Sequence, residues 1–282
     1  MPLRTNLQPD FLVIGAQKAG STWIFRVLEH HPQVFVPQAK ELEYFSYSPR
    51  VANEWGAYLR HFVGAGAAAA IGEATPSYLW ASDRDWTEFP RPAGFNPNIP
   101  RSVRERLGDS TRLVASLRDP VERAVSAYLH HLRKGRIAPG TSILDAGKAF
   151  GILHMGLYFE HLSAWLREFP LGNFHVGIFE EAVRSPREYF AGLFAFLGVD
   201  ASFQGRREDR AFNTGTERVE VDGAVHVTQH APAADPAVPL ISESELARLS
   251  RFYRDDVLRL EDLLGRPLGH WRSLSEKSLA MA

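Results

Sequence analysis

The chain has 282 residues, of which 45% are hydrophobic and 23% are charged, and its formal net charge at pH 7 is −1. This composition predicts a packed globular core. The near-neutral charge argues against non-specific nucleic-acid binding, so any anion site must be a local pocket. The chain contains no cysteine, which excludes disulfides, thiolate metal sites and a cysteine nucleophile. The length suits one large α/β domain, although two small domains would also fit it.

A glycine-bounded loop lies near the start of the chain. An apolar run at residues 11–14 leads into Gly-Ala-Gln-Lys-Ala-Gly-Ser-Thr at residues 15–22, and a helix-like run follows. A strand, a tight turn and a helix in this order direct free backbone N–H groups at an anion. Lys18 lies inside the loop, and Ser21 and Thr22 could cap the helix and donate hydroxyls to the same anion. In a nucleoside-triphosphatase loop a lysine follows the second glycine, where this chain has Ser21, so a phosphate-like anion without a metal is predicted.

Strand-like and helix-like segments alternate along most of the remaining chain. Apolar runs predict strands at 67–71, 111–117 and 174–179, and a short extended segment at 30–37. Helical patterns follow at 49–61, 120–134, 157–169, 186–197 and 242–264, and a surface excursion is predicted at 83–100. This order predicts an α/β fold with a parallel sheet flanked by helices. An Asp-Gly dipeptide predicts a β-hairpin at 219–227, within an irregular lid at about 202–239.

A second candidate phosphate site begins at Arg118. This residue follows the predicted strand at 111–117, at the edge where the ligands of open α/β sheets gather, and its guanidinium can grip a phosphate with two hydrogen bonds. Ser126 lies two turns into the next helix and could add a hydroxyl. The alternative for Arg118 is a surface salt bridge to Asp119 or Glu122.

These two motifs carry a resemblance to a known family. The loop at 15–22 resembles the 5′-phosphosulfate loop of the sulfotransferases that depend on PAPS (3′-phosphoadenosine 5′-phosphosulfate), and is most similar to their bacterial and heparan-sulfate-type branch. The segment from Arg118 to Ser126 is similar to the family's 3′-phosphate motif, and the resemblance continues to residues 264–268. It implies a P-loop-like sulfotransferase fold, one domain over residues 1–282, and PAPS as cosubstrate with PAP as product. The cosubstrate-binding residues it implies are Lys18, Ala19, Gly20, Ser21, Thr22, Arg118 and Ser126.

The resemblance also implies a catalytic pair. Lys18 would stabilise charge on the departing phosphate, and Glu41, in a segment at 40–45 that resembles the family segment with the catalytic glutamate, would be the general base. The other carboxylates and histidines that are candidates for the base are Glu43, Glu73, His30 and His31. The two histidines at 30 and 31 lie at the far end of the helix that follows the loop, well away from its N-terminus.

Two departures from the family pattern concern the acceptor and the adenosine. Ala74 stands where relatives that act on glycosaminoglycans have a lysine, which argues against a heavily sulfated polymer acceptor. Those relatives also have a disulfide-bridged hairpin followed by a Lys-Gly-Arg loop, where this chain has Thr228-Gln229-His230. Three arginines, Arg206, Arg207 and Arg210, are candidates to cover the adenosine end, or could be solvated charges.

The sequence therefore predicts a PAPS-dependent sulfotransferase. Its acceptor would be a hydroxyl or amine of a small molecule, glycolipid or saccharide, with no metal, nucleic-acid partner or membrane span. The alternatives are a nucleotide-dependent kinase of a small molecule and a catalytically inactive protein that binds PAP. Residues 1–10 show no apolar signal core and no apolar run is long enough to cross a bilayer, so we expect a cytoplasmic location.

Overall fold

A computed structural model describes residues 7–82, 87–205, 216–221, 224–229 and 241–271. The chain forms two compact units. The first comprises residues 1–83, 92–118 and 161–213, and the second comprises residues 84–91, 119–160 and 214–282. The single domain predicted over residues 1–282 stays a prediction.

The first unit is built on a five-stranded parallel sheet with the strand order β2-β3-β1-β4-β5. All residues of the central strand, β1, are buried, which explains why its sequence reads as an apolar run rather than as an alternating pattern, and all residues of β3 are buried as well, including Glu73. This arrangement confirms the predicted fold class. The strands are β1 (Phe11–Gly15), β2 (Val34–Phe35), β3 (Ala70–Ala74), β4 (Arg112–Leu117) and β5 (Phe174–Ile178).

The strand register brings three carboxyl ends to one edge of the sheet. Val13 of β1 pairs with Ala74 of β3, and Gly15 pairs with Ala115 of β4. Just beyond the strands, the Ala16 N–H donates to the Ser116 carbonyl at 2.7 Å. The segments that leave β1, β3 and β4 therefore begin side by side, about 4.8 Å apart.

Helices cover the sheet and supply most of its core. In α1, six of ten residues are buried, and Trp23 packs edge-on against Phe190 of α9 at 5.1 Å between ring centroids. The α-helices of this unit are α1 (Ser21–His30), α2 (Ser48–Asn53), α3 (Trp55–Arg60), α4 (Ile99–Leu107), α8 (Phe179–Arg184) and α9 (Pro186–Leu197). The residues of α7 (Tyr158–Leu166) are divided between the two units, with the boundary after residue 160.

Some predicted boundaries are wrong. The helix predicted at 49–61 is two helices, because Glu54 leaves the helical conformation with φ −113° and ψ 18°. The strand predicted at 67–71 runs from Ala70 to Ala74. The surface excursion predicted at 83–100 includes the start of α4, where Ile99 is fully buried. For the strand and for Ile99, pairing with β1 and burial in the core override the local pattern.

The second unit contains three complete α-helices and a hairpin among its described residues. The helices are α5 (Pro120–Arg133), α6 (Ile143–Ala146) and α10 (Glu243–Leu264), and the hairpin strands are β6 (Thr216–Val221) and β7 (Ala224–Gln229). Ser242 caps α10 in a capping box with Glu245. The hairpin is confirmed as an antiparallel pair. The rest of the predicted lid beyond residue 205 lies outside the described residues, as do Arg206, Arg207, Arg210 and His230 and the side chains of Thr228 and Gln229. Within the described ranges, no helix is long and apolar enough to cross a membrane.

Candidate functional site

The loop between β1 and α1 is held in a conformation that requires its two glycines. A Cβ atom at Gly15 would lie 2.7 Å from the Leu79 Cβ, and one at Gly20 would lie 2.8 Å from the Phe179 Cδ2, where Gly20 has φ 87°. Lys18, between them, also has a left-handed backbone, with φ 66°. The loop is thus a tight turn that places Lys18 at the carboxyl edge of the sheet, as the sequence predicted.

The N-terminus of α1 is capped by a residue without a side chain. Gly20 is the N-cap, so the capping position provides no side-chain hydrogen bond to the first turn. The prediction that Ser21 and Thr22 cap the helix is wrong, because both lie inside its first turn. Ser21 is buried, whereas Thr22 is exposed. Backbone N–H groups at a helix N-terminus, with the positive end of the helix dipole, form a site suited to an anion.

Arg118 leaves the end of β4 and is held against an aromatic ring. Its side chain is buried, and its guanidinium carbon lies 5.2 Å from the centre of the Phe179 ring. The same ring limits the space at Gly20. Phe179 therefore contacts both the glycine-bounded loop at residues 15–22 and Arg118.

Sequence reasoning missed the role of Phe179. The residue was expected to end a strand, but the ladder between β4 and β5 ends at Ile178 and α8 starts at Phe179. The sequence signal that could have indicated this role is an aromatic residue at the carboxyl end of the predicted strand at 174–179.

Ser126 lies in the second unit. It is buried in α5, whose N-cap is Asp119, with its carboxylate accepting from the backbone N–H groups of Val121 at 2.8 Å and Glu122 at 3.2 Å. Arg118 belongs to the first unit. A phosphate shared by Arg118 and Ser126 stays a prediction.

The Glu41 segment, residues 40–46, is attached to the end of β3. The Glu41 N–H donates to the Ala74 carbonyl at 3.0 Å, and β3 is the strand next to β1. The Glu41 side chain is 49% exposed, and its Oε1 lies 2.5 Å from the Lys40 Nζ. Its carboxylate is thus accessible, at the sheet edge from which the Lys18 loop also leaves.

Glu73 has a different environment. The residue is 1% exposed, and its carboxylate accepts hydrogen bonds from the hydroxyls of Tyr78 at 2.7 Å, Thr75 at 2.7 Å and Tyr58 at 3.3 Å. Burial raises the pKa of Glu73 to about 7, although the three hydrogen bonds and the charge of Lys40 oppose the shift. This pKa would suit a general base, but the burial keeps the carboxylate from solvent.

The two candidate histidines lie where the sequence placed them, at the carboxyl end of α1. His30 Nδ1 bonds to the Arg26 carbonyl oxygen at 2.7 Å. His31 is buried, and its Nε2 bonds to the Asp200 carbonyl oxygen at 3.0 Å. The His30 ring thus bonds to the last turn of α1, and the His31 ring bonds to residue 200, so both lie away from the loop at 15–22.

The parallel sheet, with its glycine-bounded loop after the central strand, is a P-loop-like α/β fold. The family model described as "Sulfotransferase domain" matches residues 8–219, and the chain belongs to the sulfotransferase family. The resemblance to the PAPS-dependent sulfotransferases is therefore confirmed.

Two relatives are similar in sequence to different shares of the chain. The mouse heparan sulfate glucosamine 3-O-sulfotransferase 3B1 is 26% identical over 273 residues, covering 93% of this chain and 64% of the relative. The membrane-associated sulfotransferase kil1 of Dictyostelium discoideum is 34% identical over 123 residues, covering 43% of this chain and 22% of the relative. The chain thus spans less than two thirds of these relatives' length.

A solved structure shares the fold. The crystal structure of a sulfotransferase from Alicyclobacillus acidocaldarius superimposes with a TM-score of 0.67 at 24% identity, and the match covers 94% of this chain and 99% of the other.

Proposed function

We propose that this protein transfers a sulfuryl group from PAPS to a hydroxyl or amine of a small-molecule, glycolipid or saccharide acceptor and releases PAP. The observation that carries the proposal is the contact of one ring, Phe179, with both the glycine loop and Arg118, on the fold of a sulfotransferase-family chain. Lys18 and Arg118 both follow strands at the carboxyl edge of the sheet. A ligand with two phosphate groups requires two such cationic groups.

Each binding residue has a distinct role in this proposal. The loop at 15–22 would hold the 5′-phosphosulfate through backbone N–H groups and the Thr22 hydroxyl. Arg118 and Ser126 would hold the 3′-phosphate, where a planar guanidinium can form two parallel hydrogen bonds.

The transfer step uses Lys18 and Glu41. Glu41 would accept the proton of the acceptor as its oxygen or nitrogen forms a bond to sulfur. The bond between sulfur and the bridging oxygen of the 5′-phosphate breaks, and its electron pair remains on PAP, where the Lys18 ammonium stabilises the developing charge. Glu41 is favoured over Glu73 because its carboxylate is half-exposed, whereas that of Glu73 is buried and already accepts three hydrogen bonds.

The residue at position 74 and the heparan sulfate sulfotransferase relatives support the proposed acceptor class. The relatives named above include a heparan sulfate glucosamine 3-O-sulfotransferase, which supports a saccharide acceptor. Ala74, at the end of β3, is buried and uncharged where a lysine would add a cation. We therefore favour a saccharide, glycolipid or phenol of low charge over a heavily sulfated polymer.

A screen of PAPS consumption tests the proposal. The purified chain is incubated with PAPS and pools of saccharides, lipids and phenols, with and without magnesium, and products are detected by intact mass. An acceptor that gains one sulfuryl group, with one PAP released, supports the proposal. Phosphoryl transfer in a parallel arm with ATP would indicate a kinase, and PAP binding without turnover of any acceptor would indicate an inactive binding protein.

A further inference from the structure

The backbone of the Glu41 segment needs support from outside itself. Glu41 and Glu43 both have positive φ, 64° and 54°, in a region of backbone space that residues with a Cβ atom rarely adopt. Such conformations persist only where surrounding contacts hold them. The contacts that hold this segment therefore decide where the Glu41 carboxylate lies.

Three backbone N–H groups of the segment donate to a single neighbouring stretch, residues 73–78. The Glu41 N–H donates to the Ala74 carbonyl at 3.0 Å. The Glu43 N–H donates to the Thr75 hydroxyl oxygen at 3.3 Å, and the Phe45 N–H donates to the Tyr78 hydroxyl oxygen at 3.4 Å. Alternate residues of the segment are thus tied to the stretch that follows β3.

The two hydroxyls that accept from the segment both donate to Glu73. Thr75 Oγ1 donates to Glu73 Oε2 and Tyr78 OH donates to Glu73 Oε1, each at 2.7 Å. A hydroxyl has one hydrogen and two lone pairs, so a hydroxyl that donates to the carboxylate presents only lone pairs elsewhere. Lone pairs are what an N–H donor requires. An ionised Glu73 therefore orients both hydroxyls correctly for the segment.

We propose that Glu73 is a positioning residue, whose buried carboxylate fixes the Glu41 segment through the hydroxyls of Thr75 and Tyr78. The inference deepens the proposed function and rests on it in one respect, the assignment of Glu41 as the base. It gives a role to a fully buried carboxylate that the transfer step itself does not use. It also gives a role to two of the three hydroxyls that donate to this side chain, those of Thr75 and Tyr78.

Tyr58 supplies a matched control. Its hydroxyl also donates to Glu73, at 3.3 Å, but within the described part of the chain this hydroxyl accepts from no N–H of the Glu41 segment. Its ring stacks on Tyr44 at 4.4 Å with an interplanar angle of 22°, and Tyr58→Phe keeps this ring. The substitution therefore removes one donor to Glu73 without removing a support of the segment.

Hydrogen exchange of the Glu43 and Phe45 backbone N–H groups tests the inference without any acceptor. Exchange is followed in deuterated water, with PAP bound and at single-residue resolution. Thr75→Val should speed exchange at Glu43 and Tyr78→Phe at Phe45 by about threefold to tenfold, the range expected for one lost hydrogen bond. Glu73→Gln keeps one acceptor oxygen and replaces the other by an NH2 donor, so it should speed exchange at one or both of the two positions. Tyr58→Phe should leave both rates unchanged, and Thr75→Ser, which keeps the hydroxyl, should restore the wild-type rate at Glu43.

A kinetic arm separates positioning from general stability. With the acceptor from the screen, Thr75→Val and Tyr78→Phe should lower kcat about tenfold to a hundredfold while the Kd for PAP stays the same, and Thr75→Ser should recover kcat. Denaturant unfolding of each variant verifies that the fold is intact. If one of the two substitutions prevents folding, the other still tests the inference.

The two arms also distinguish the possible failures. Equal acceleration of exchange by Tyr58→Phe, or none by either hydroxyl variant, would overturn the positioning role. Faster exchange with unchanged kcat would remove its connection to catalysis. A wild-type protein that turns over no acceptor would refute the proposed function, while the exchange result would still decide whether Glu73 fixes the segment.

Discussion

Replacing Glu73 by glutamine should change how the stability of the protein depends on pH. In the unfolded chain this carboxyl has a pKa of 4.5, and burial raises its pKa to about 7 in the fold. Between these values the folded protein keeps a proton that the unfolded chain has released. The free energy of unfolding of the wild type therefore falls as pH rises from about 4.5 to about 7.

The size of the effect follows from the pKa values. One pH unit corresponds to about 1.36 kcal/mol, so this group should remove about 3 kcal/mol of stability across the window. Glu73→Gln has no such titration. Its stability relative to the wild type should improve by about the same amount between pH 4.5 and pH 8, whatever constant offset the amide introduces. Tyr58, Tyr78 and Lys40 are the titratable groups that act on Glu73, and both proteins retain them.

Urea unfolding of both proteins at several pH values between 4.5 and 8.5 measures the difference. Other titrating groups are common to the two proteins and cancel in the comparison. Tyr78→Phe provides an internal test. In the wild type the hydrogen bond from Tyr78 lowers the pKa of Glu73, so a variant without this bond should show the transition at higher pH. A difference between wild type and Glu73→Gln that stays constant over the whole range would refute the reasoning, since it would mean that burial does not perturb this carboxyl.

Four further predictions concern the proposed site. Arg118→Ala should weaken PAP binding by about tenfold to a hundredfold in calorimetry, as expected for one charge-assisted phosphate contact, and should leave the weak binding of adenosine 5′-phosphosulfate unchanged. Phe179→Leu should weaken PAP binding by about twofold to thirtyfold, because Arg118 loses a cation–π contact; an unchanged Kd would mean that the ring does not orient the arginine. Lys18→Ala should lower kcat more than it weakens PAPS binding, and an effect on KM alone would limit Lys18 to binding. Glu41→Gln should lower kcat about a hundredfold or more with PAP affinity nearly unchanged, and near wild-type turnover would exclude Glu41 as the base.

Much of the first unit could be predicted because its signals are local. The apolar run of β1, the glycines of the loop and the spacing of Lys18 between them all lie within a dozen residues, and the structure places them as predicted. Arg118 could be predicted for the same reason, since it directly follows a buried strand.

The remaining features depend on contacts distant in sequence. The environment of the Glu73 carboxyl group depends on Tyr58, fifteen residues earlier, and on the position of Glu73 in a strand that the apolar pattern placed three residues too early. Its burial could not be inferred from a glutamate between glycine and alanine, because most glutamates are solvated. The role of Phe179 likewise depends on its contacts with Gly20 and Arg118, which are distant in sequence.

Because the Phe179 ring contacts both Gly20 and Arg118, it restricts which substitutions can accumulate at positions 20 and 179. Any side chain larger than hydrogen at position 20 would press on this ring, and a smaller residue at position 179 that made room would leave the Arg118 guanidinium without its aromatic platform. Substitutions at the two positions are therefore not independent, and a change tolerated at one should covary with a change at the other. A double-mutant cycle between positions 20 and 179, read out by PAP affinity, would measure this linkage as a non-additive free energy.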